Sequence, residues 1–285
     1  MKNTKLIFAA LLLAGSSWLY SSCQKDHMNL NQQSSNTGLK SASDEAYMDH
    51  QSTYIDAVVQ AVTWDNSGLI RGNGLSACAT VTYDTSGAIK TATIDFGATP
   101  CKTNGEEEYK QGVLIITWTG NMIDSGTVKT ITTQNYFVGD TPTAMHQLSL
   151  TKTFTNKGKN AAGNIHFAIA VTNATLTLDS GQQITWSANR DREWVQGDTA
   201  IGSDDIFFTT GGSSGTDRNG LPFTVEITSP IRTNADCEWA VSGTKAITHG
   251  PNPTRILDYG DGSCDNLATV TVNGQTMIIH IDKDE

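Results

Sequence analysis

The chain has 285 residues, of which 38% are hydrophobic and 17% are charged, and it contains 39 threonines and 26 glycines. This composition favours short strands and turns, and it excludes a coiled coil, a helical bundle, collagen and a disordered chain. The formal charge of −10 argues against nucleic-acid binding, because contacts to phosphates require clustered lysine and arginine.

The first predicted element is a secretory leader over residues 1–22. Two lysines precede an apolar run, Leu6–Ala14, that is too short to cross a membrane as a helix. The segment LYSSC, which ends at Cys23, resembles a bacterial lipobox, whose cysteine is acylated and becomes the first residue. Tyr20 stands where that pattern prefers an aliphatic residue, and an ordinary signal peptide is the alternative. We therefore expect Cys23 to be the lipidation site, carrying acyl chains such as palmitate.

Residues 23–42 are predicted to be the acylated cysteine and a flexible tether, because 24–42 are mostly Asn, Gln, Ser and Thr. The start, CQKD, resembles Bacteroidota-type lipoproteins, in which acidic residues after a lysine direct export to the outer face of the outer membrane. Here only Asp26 follows Lys25 before His27, so the exterior and the periplasmic leaflet both stay open. Without the leader, 17 basic and 29 acidic residues remain. Anionic lipid repels such a body, so acyl chains are the expected membrane contact.

Residues 43–285 are predicted to form a single β-rich domain that begins with a helix at 43–64. Ser43 or Asp44 can cap the free N–H groups of this helix. Apolar residues recur at helical spacing at positions 46, 50, 54, 57, 58 and 61. We therefore expect an amphipathic helix that lies across a sheet and turns an acidic face to water. A membrane-surface helix is disfavoured, because the polar face is not basic.

From about residue 76 onward, short β segments follow one another. Turn sequences such as Asn219-Gly220 and Asn273-Gly274 separate them. Such close spacing leaves no room for crossover helices, so the sheet must be antiparallel. The predicted fold is mainly β, with a long antiparallel meander curled into a sandwich or a barrel-like sheet and the helix packed on it.

Four cysteines remain in the body, namely Cys78, Cys101, Cys237 and Cys264. An even number in an oxidising compartment indicates disulfides, with three possible connectivities. Two segments share one pattern: a cysteine, a strand, a turn, a strand ending in apolar-Asp-aromatic-Gly, and a cysteine four residues later. Because a hairpin brings its ends together, we expect the pairs 78–101 and 237–264 and an internal repeat, with chance similarity as the alternative. The spacings do not suit zinc.

Several longer segments together resemble a family of Bacteroidota-type outer-membrane lipoproteins to which no activity is assigned. They are TIDFG at 93–97, GKNAAGN at 158–164, ITW at 184–186, REW at 192–194, TDRNG at 216–220 and LDYGDGSCDN at 257–266. The resemblance covers nearly the whole body. It implies the fold and the outer-membrane location, and it implies no activity.

The most unusual stretch, WSANRDREW, covers residues 186–194. In an extended strand, Arg190, Arg192 and Trp194 share one face, and the two carboxylates between them share the other. Aromatic rings beside arginine can bind a sugar or a peptide, so Trp186 and these three residues are candidate ligand-binding residues. The alternative is a cross-strand charge ladder on the solvent face.

Other candidate sites are weaker. Asp258, Asp261 and Asp265 could hold calcium, but their spacing fits no EF-hand. A turn in which each aspartate bonds its own backbone explains the same residues and is the favoured interpretation. Glu106–Glu108 are expected in a solvated loop. The six histidines have no metal-binding spacing, and the sequence contains neither a nucleophile elbow nor a P-loop. We therefore expect no cofactor, and we assign no metal ligand and no catalytic residue.

The sequence thus predicts a lipid-anchored envelope protein with a non-catalytic binding or structural role. Its expected contacts are the membrane, through the acyl chains on Cys23, and a glycan or protein partner. Catalysis stays open: a secreted hydrolase that uses carboxylates to cleave glycans is one alternative. A calcium-stabilised adhesion module is the other.

Overall fold

The computed structural model describes residues 30–63, 78–102, 108–197 and 204–281. Within them a single α-helix, α1 (Leu30–Thr63), precedes thirteen β-strands. The strands are β1 (Thr80–Asp84), β2 (Ile89–Asp95), β3 (Tyr109–Thr119), β4 (Val128–Thr141), β5 (Ala144–Lys159), β6 (Ile165–Thr177), β7 (Gln183–Gln196), β8 (Ile206–Thr216), β9 (Pro222–Asn234), β10 (Ala240–His249), β11 (Arg255–Asp261), β12 (Leu267–Val272) and β13 (Gln275–His280).

The thirteen strands form one sheet in which each strand pairs antiparallel with the next, so the predicted meander is confirmed. Tight turns make this possible: Asn273 and Gly274 have φ values of 50° and 78°, and they join β12 to β13 as the Asn-Gly pattern predicts. Strands β1 and β13 are the two edges and do not pair with each other. The sheet is therefore open rather than a closed barrel.

Alternation along the strands separates an inner face from an outer face. In β3, Leu114, Ile116 and Trp118 are buried, whereas Thr117 is half-buried and Thr119 is exposed. Threonine suits the outer positions because it combines β propensity with a hydroxyl that water can solvate. The inner positions of successive strands form one continuous apolar core.

Glycines bend the sheet where its register shifts. Gly211 in β8 and Gly243 in β10 have φ values of 107° and 109°, and the ladders of β9 shift register beside both of them. A Cβ atom at Gly211 would lie 2.4 Å from the carbonyl oxygen of Asn189, and one at Gly243 would lie 2.4 Å from that of Pro230. These bulges increase the local twist and curve the long strands.

The two predicted disulfides are confirmed. Cys78 is bonded to Cys101 and Cys237 to Cys264, with Cα–Cα distances of 5.7 and 5.8 Å. The first bond encloses the hairpin β1–β2, and the second encloses the pair β10–β11. Each repeat unit therefore folds as the hairpin that the sequence predicts, and the two units lie near opposite ends of the sheet.

Helix α1 differs from the predicted helix in two respects. It begins at Leu30 rather than at residue 43, so Ser43 and Asp44 lie inside it and do not cap it, and the part of the predicted tether from 30 to 42 is helical. It is also not amphipathic in the expected sense, because its residues 42–52 and 54–56 are all buried, polar and apolar alike. The acidic face meets charged residues of the sheet instead of water, and this contact stabilises polar residues in a helix that is not exposed.

The sheet curves around α1, since side chains of this one helix contact strands that are far apart in the sheet. The Nζ atom of Lys110 in β3 lies 4.0 Å from the centre of the Tyr54 ring. The hydroxyl of Tyr259 in β11 lies 3.5 Å from the carboxylate of Asp49. Among the described residues, no helix is both long and apolar enough to span a membrane.

Candidate functional site

Helix α1 carries a stripe of polar side chains toward the sheet. Glu45, Asp49, Ser52 and Asp56 are four, three and four residues apart, a spacing that places them on one face of a helix. All four are buried. An isolated carboxylate is costly out of water, so each needs a cation or a hydrogen-bond donor. The inner face of the sheet supplies both, in two ion clusters and two flanking contacts.

The first cluster surrounds Asp49. Its carboxylate bonds Arg190 of β7 and Lys245 of β10, and Lys245 also lies 3.3 Å from Glu45. Burial opposes ionisation of Asp49, but Arg190 and Lys245 outweigh it and hold the pKa of Asp49 well below its usual range. Burial also raises the pKa of Glu45, which Lys245 only partly offsets. The cluster therefore keeps Asp49 as its permanent anion.

The second cluster surrounds Asp56, two stripe positions further along α1. Lys152 of β5 lies 2.6 Å from its Oδ1 and Arg192 of β7 lies 3.0 Å from its Oδ2. The Nζ of Lys152 also donates to the hydroxyl of Ser52 at 2.8 Å and to its carbonyl oxygen at 3.0 Å. Burial nevertheless lowers the pKa of Lys152 to about 8, and that of neighbouring Lys129 to about 8. Even so, two lysines and one arginine lie near the single carboxylate of Asp56 on this part of the inner face.

A further ion pair lies toward the helix N-terminus. Asp44 accepts hydrogen bonds from the guanidinium of Arg218, one of them from Nε at 2.8 Å. Arg218 lies in the turn between β8 and β9, and Asp217 holds this turn by accepting from the backbone N–H groups of Asn219 and Leu221 at 2.9 Å each. The turn formed by Asp-Arg-Asn-Gly therefore places the guanidinium of Arg218 beside the helix.

Glu108 is a buried carboxylate whose closest partner is neutral. Its Oε1 accepts a hydrogen bond of 2.6 Å from Gln51 of α1, and its Oε2 has no hydrogen-bond partner within the described part of the chain. Burial raises the pKa of Glu108 to about 7, against the opposing effects of Gln51 and Lys110. The prediction of a solvated loop at 106–108 is therefore wrong for Glu108, which the helix covers; 106 and 107 lie outside the described residues.

A small cavity of about 20 Å³ lies between α1 and the sheet, and it has room for about one water molecule. Asp49 and Thr53 of the helix line it from one side, and Arg190, Arg192 and Tyr259 line it from the other. The side chain of Arg190 is only 8% exposed, yet its Nε and Nη2 find no acceptor among the described residues. The helix thus leaves two buried donors of the sheet unused.

The four residues predicted to bind a ligand lie on the inner face of β7. Arg190, Arg192 and Trp194 do share one face, as the alternation predicts, but the helix carboxylates occupy both arginines. Trp186 is fully buried beneath Arg190, whose guanidinium lies 5.2 Å from the ring centre. Trp194 donates to Asp205 at 3.0 Å. In this structure both arginines bind carboxylates of α1, which belongs to the same chain, and not a separate ligand at the surface.

The alternative of a solvent-facing ladder holds for the carboxylates of this stretch but not for its arginines. Asp191 and Glu193 lie on the outer face of β7. Asp191 pairs with His166 at 2.8 Å, and Glu193 accepts from the amides of Asn160 and Asn164 at 2.7 and 2.8 Å. These hydrogen bonds lower the pKa of Glu193. One strand therefore presents cations inward and carboxylates outward.

Asp258, Asp261 and Asp265 follow the turn interpretation. Each accepts a bond from the backbone N–H two residues further along the chain, at 2.9, 3.2 and 3.0 Å respectively. No cluster of three or more His, Cys, Asp or Glu side chains in the described ranges could hold a metal ion. Cys23, the predicted lipidation site, lies outside the described residues.

An open hollow of about 490 Å³ lies on the outer face of the sheet at the bulge around Gly243. Its lining is mostly small or polar, with Ser229, Ser242 and Thr244 beside Phe208. Of the residues that line it, only Asp258 has a carboxylate. A glycosidase of the usual type needs a pair of carboxylates, one on each side of the bond that is cleaved. The hollow therefore does not resemble such a site.

Sequence reasoning missed the helix carboxylates and several of their partners, above all Lys152 and Lys245. A signal for the lysines was present. Lys152 shares its face of the strand with Leu150 and Phe154, and Lys245 shares its face with Ile247, so each lysine occupies a position that should face the core. A charge at a core position requires a buried counter-charge. Alternation alone does not say which element supplies it.

Comparison with known proteins adds nothing to this geometry. No protein family, no curated protein and no solved structure matches the chain. Function must therefore be argued from the residues themselves.

Proposed function

We propose that this chain is a lipid-anchored protein of the cell envelope that acts by binding a partner rather than by catalysis. The observation that carries the binding role is the concave inner face of the sheet, where buried arginines and lysines hold a complementary acidic element. Surfaces of matched charge provide specificity and fast association. The leader and the cysteine that follows it support the anchoring.

The two carboxylates of the first cluster, whose pKa values are shifted, argue for binding rather than for hydrolysis. Asp49 and Glu45 are packed between helix and sheet and contact Lys245. The cavity beside Asp49 has room for about one water molecule and not for a sugar ring. Catalytic acids work where substrate can reach them, and neither carboxylate meets that condition.

We predict that Cys23→Ala abolishes incorporation of an alkyne-labelled palmitate and moves the protein from the membrane fraction to the soluble fraction. The reason is that no basic patch is expected to hold the acidic body on lipid once the acyl chains are absent. The measurement is fluorescent detection of the label in fractionated cells. Ser22→Ala, which keeps a small residue before the cysteine, is the matched control and should label normally. Unchanged labelling of Cys23→Ala would reject the anchor.

Binding and catalysis separate in one assay of the unanchored Cys23→Ala protein on glycans and envelope proteins. A binding role predicts saturable retention of a partner that is recovered intact. New reducing ends or new peptide termini that increase with time and protein concentration would contradict it and favour the hydrolase.

The melting temperature with calcium and with chelator should be the same, because the aspartates at 258, 261 and 265 bond their own backbone.

A further inference from the structure

We infer that the concave inner face of the sheet is a groove for an acidic α-helix of a partner protein, and that α1 is its internal, exchangeable occupant. The inference rests on the proposed binding role and names its site and ligand class. Three observations carry it: the charge pattern of the interface, its polar character, and the donors that α1 leaves unused.

The charge pattern fits a helix. The stripe of Glu45, Asp49 and Asp56 repeats at helical spacing, and each carboxylate contacts at least one cation of the sheet. Because α1 turns these side chains toward β5, β7 and β10, the spacing of the cations on these strands matches a helix. Without α1, the cations that now pair with its carboxylates would line a concave surface: Lys152, Arg190, Arg192, Arg218 and Lys245.

The contact between α1 and the sheet also resembles interfaces between units that can separate from each other. A helix that only fills a core is stabilised best by apolar side chains, and replacing buried ion pairs by such side chains is often neutral or stabilising. Here the contact combines Met48, Ile55 and Val59 with ion pairs on the same helix. Polar surfaces with charged pairs are typical of contacts between units that move relative to each other.

Finally, α1 is an incomplete ligand. The Nε and Nη2 atoms of buried Arg190 find no acceptor in the described part of the chain, and Arg190 lines the small cavity that Thr53 of α1 reaches but does not fill. A helix with a carboxylate at the Thr53 position would pair with these donors. A partner helix can therefore bind the groove more tightly than α1 does.

The test uses a fluorescent peptide of residues 42–59 and the Asp49→Asn full-length chain, whose own helix is held less firmly. We expect one peptide to bind per Asp49→Asn molecule, and wild-type protein to bind at least tenfold more weakly, because its own helix competes at high effective concentration. A Thr53→Glu peptide should bind about tenfold more tightly than the parent, as one further charge-assisted hydrogen bond implies. A peptide with Asp49→Lys and Asp56→Lys should not bind.

If Asp49→Asn lacks the circular dichroism of a folded sheet, wild-type chain cut at a protease site inserted between residues 63 and 78 replaces it. Exchange of its N-terminal fragment for labelled peptide, with the sheet folded, supports the inference. Retention of that fragment with no exchange would show that α1 is a permanent core element and would overturn it. Equal binding of the charge-reversed peptide, or equal displacement by polygalacturonate, would also overturn it. Palmitate labelling at Cys23 is independent of these outcomes, so the inference and the anchor fail separately.

Discussion

Replacement of Asp49 by asparagine should lower the free energy of unfolding by about 3–5 kcal/mol, the cost of removing one partner from a buried ion pair. Asp49 bonds Arg190 and Lys245 at once, and asparagine leaves both cations without this anion in the interior. Glu45 cannot replace it, because burial raises the pKa of Glu45 and Glu45 contacts only Lys245 closely. Urea unfolding at pH 7, followed by circular dichroism, measures the effect.

Asp191→Asn is the matched control for this substitution. Its carboxylate also contacts a basic side chain, that of His166, but its own side chain is 46% exposed. Exposed pairs contribute about 0–1 kcal/mol, so this variant should stay close to wild type. Equal stability of Asp49→Asn and Asp191→Asn would contradict the ion clusters described above.

Replacement of Glu108 by glutamine should stabilise the protein at pH 8 and leave its stability at pH 5 almost unchanged. The pKa of Glu108 rises from the ordinary 4.5 to about 7 in the folded protein. Between these values the folded state holds a proton that the unfolded state has released, so stability decreases as pH rises through this window. At pH 8 the decrease is complete and amounts to about 3 kcal/mol. Glutamine carries no charge and therefore avoids this decrease in stability, while its side-chain oxygen still accepts the hydrogen bond from Gln51.

The measurement is urea unfolding of wild type and Glu108→Gln at several pH values from 5 to 9, and the difference should grow toward pH 8. Glu193→Gln is a control with the opposite sign, because hydrogen bonds from Asn164 and Asn160 lower the pKa of Glu193. A lowered pKa stabilises the folded state above the ordinary value, so glutamine at 193 should not gain stability at pH 8. Parallel curves for wild type and Glu108→Gln would contradict the burial that raises the pKa of Glu108.

Local features of the fold were accessible from the sequence because they depend on neighbouring residues. Asn273-Gly274 forms a tight turn since both residues tolerate positive φ. Pairing of Cys78 with Cys101 follows from the hairpin between them, and Cys237 with Cys264 likewise. The faces of β7 also follow from simple alternation.

The surroundings of helix α1 could not be predicted from neighbouring residues in this way. Spacing predicted one apolar stripe on α1, and Tyr54 and Val58 are indeed buried. Burial of Asp49 and Asp56 as well depends on a sheet that surrounds the helix, and no local pattern encodes that curvature. The candidate site was therefore seen only in part: Arg190 and Arg192 were identified, but their partners were not.

By itself, the amino-acid sequence determined the class of fold, the order of strands and turns, and the two disulfides, since each of these depends on residues close in the chain or on a regular period. Only the tertiary structure decided that the sheet stays open, that it wraps α1, and that the acidic side of that helix meets the cations of the inner face. Those contacts join residues that are about 100 to 200 positions apart, such as Asp56 with Lys152 and Glu45 with Lys245. A buried charge shows that a partner must exist, but only packing in three dimensions selects the partner.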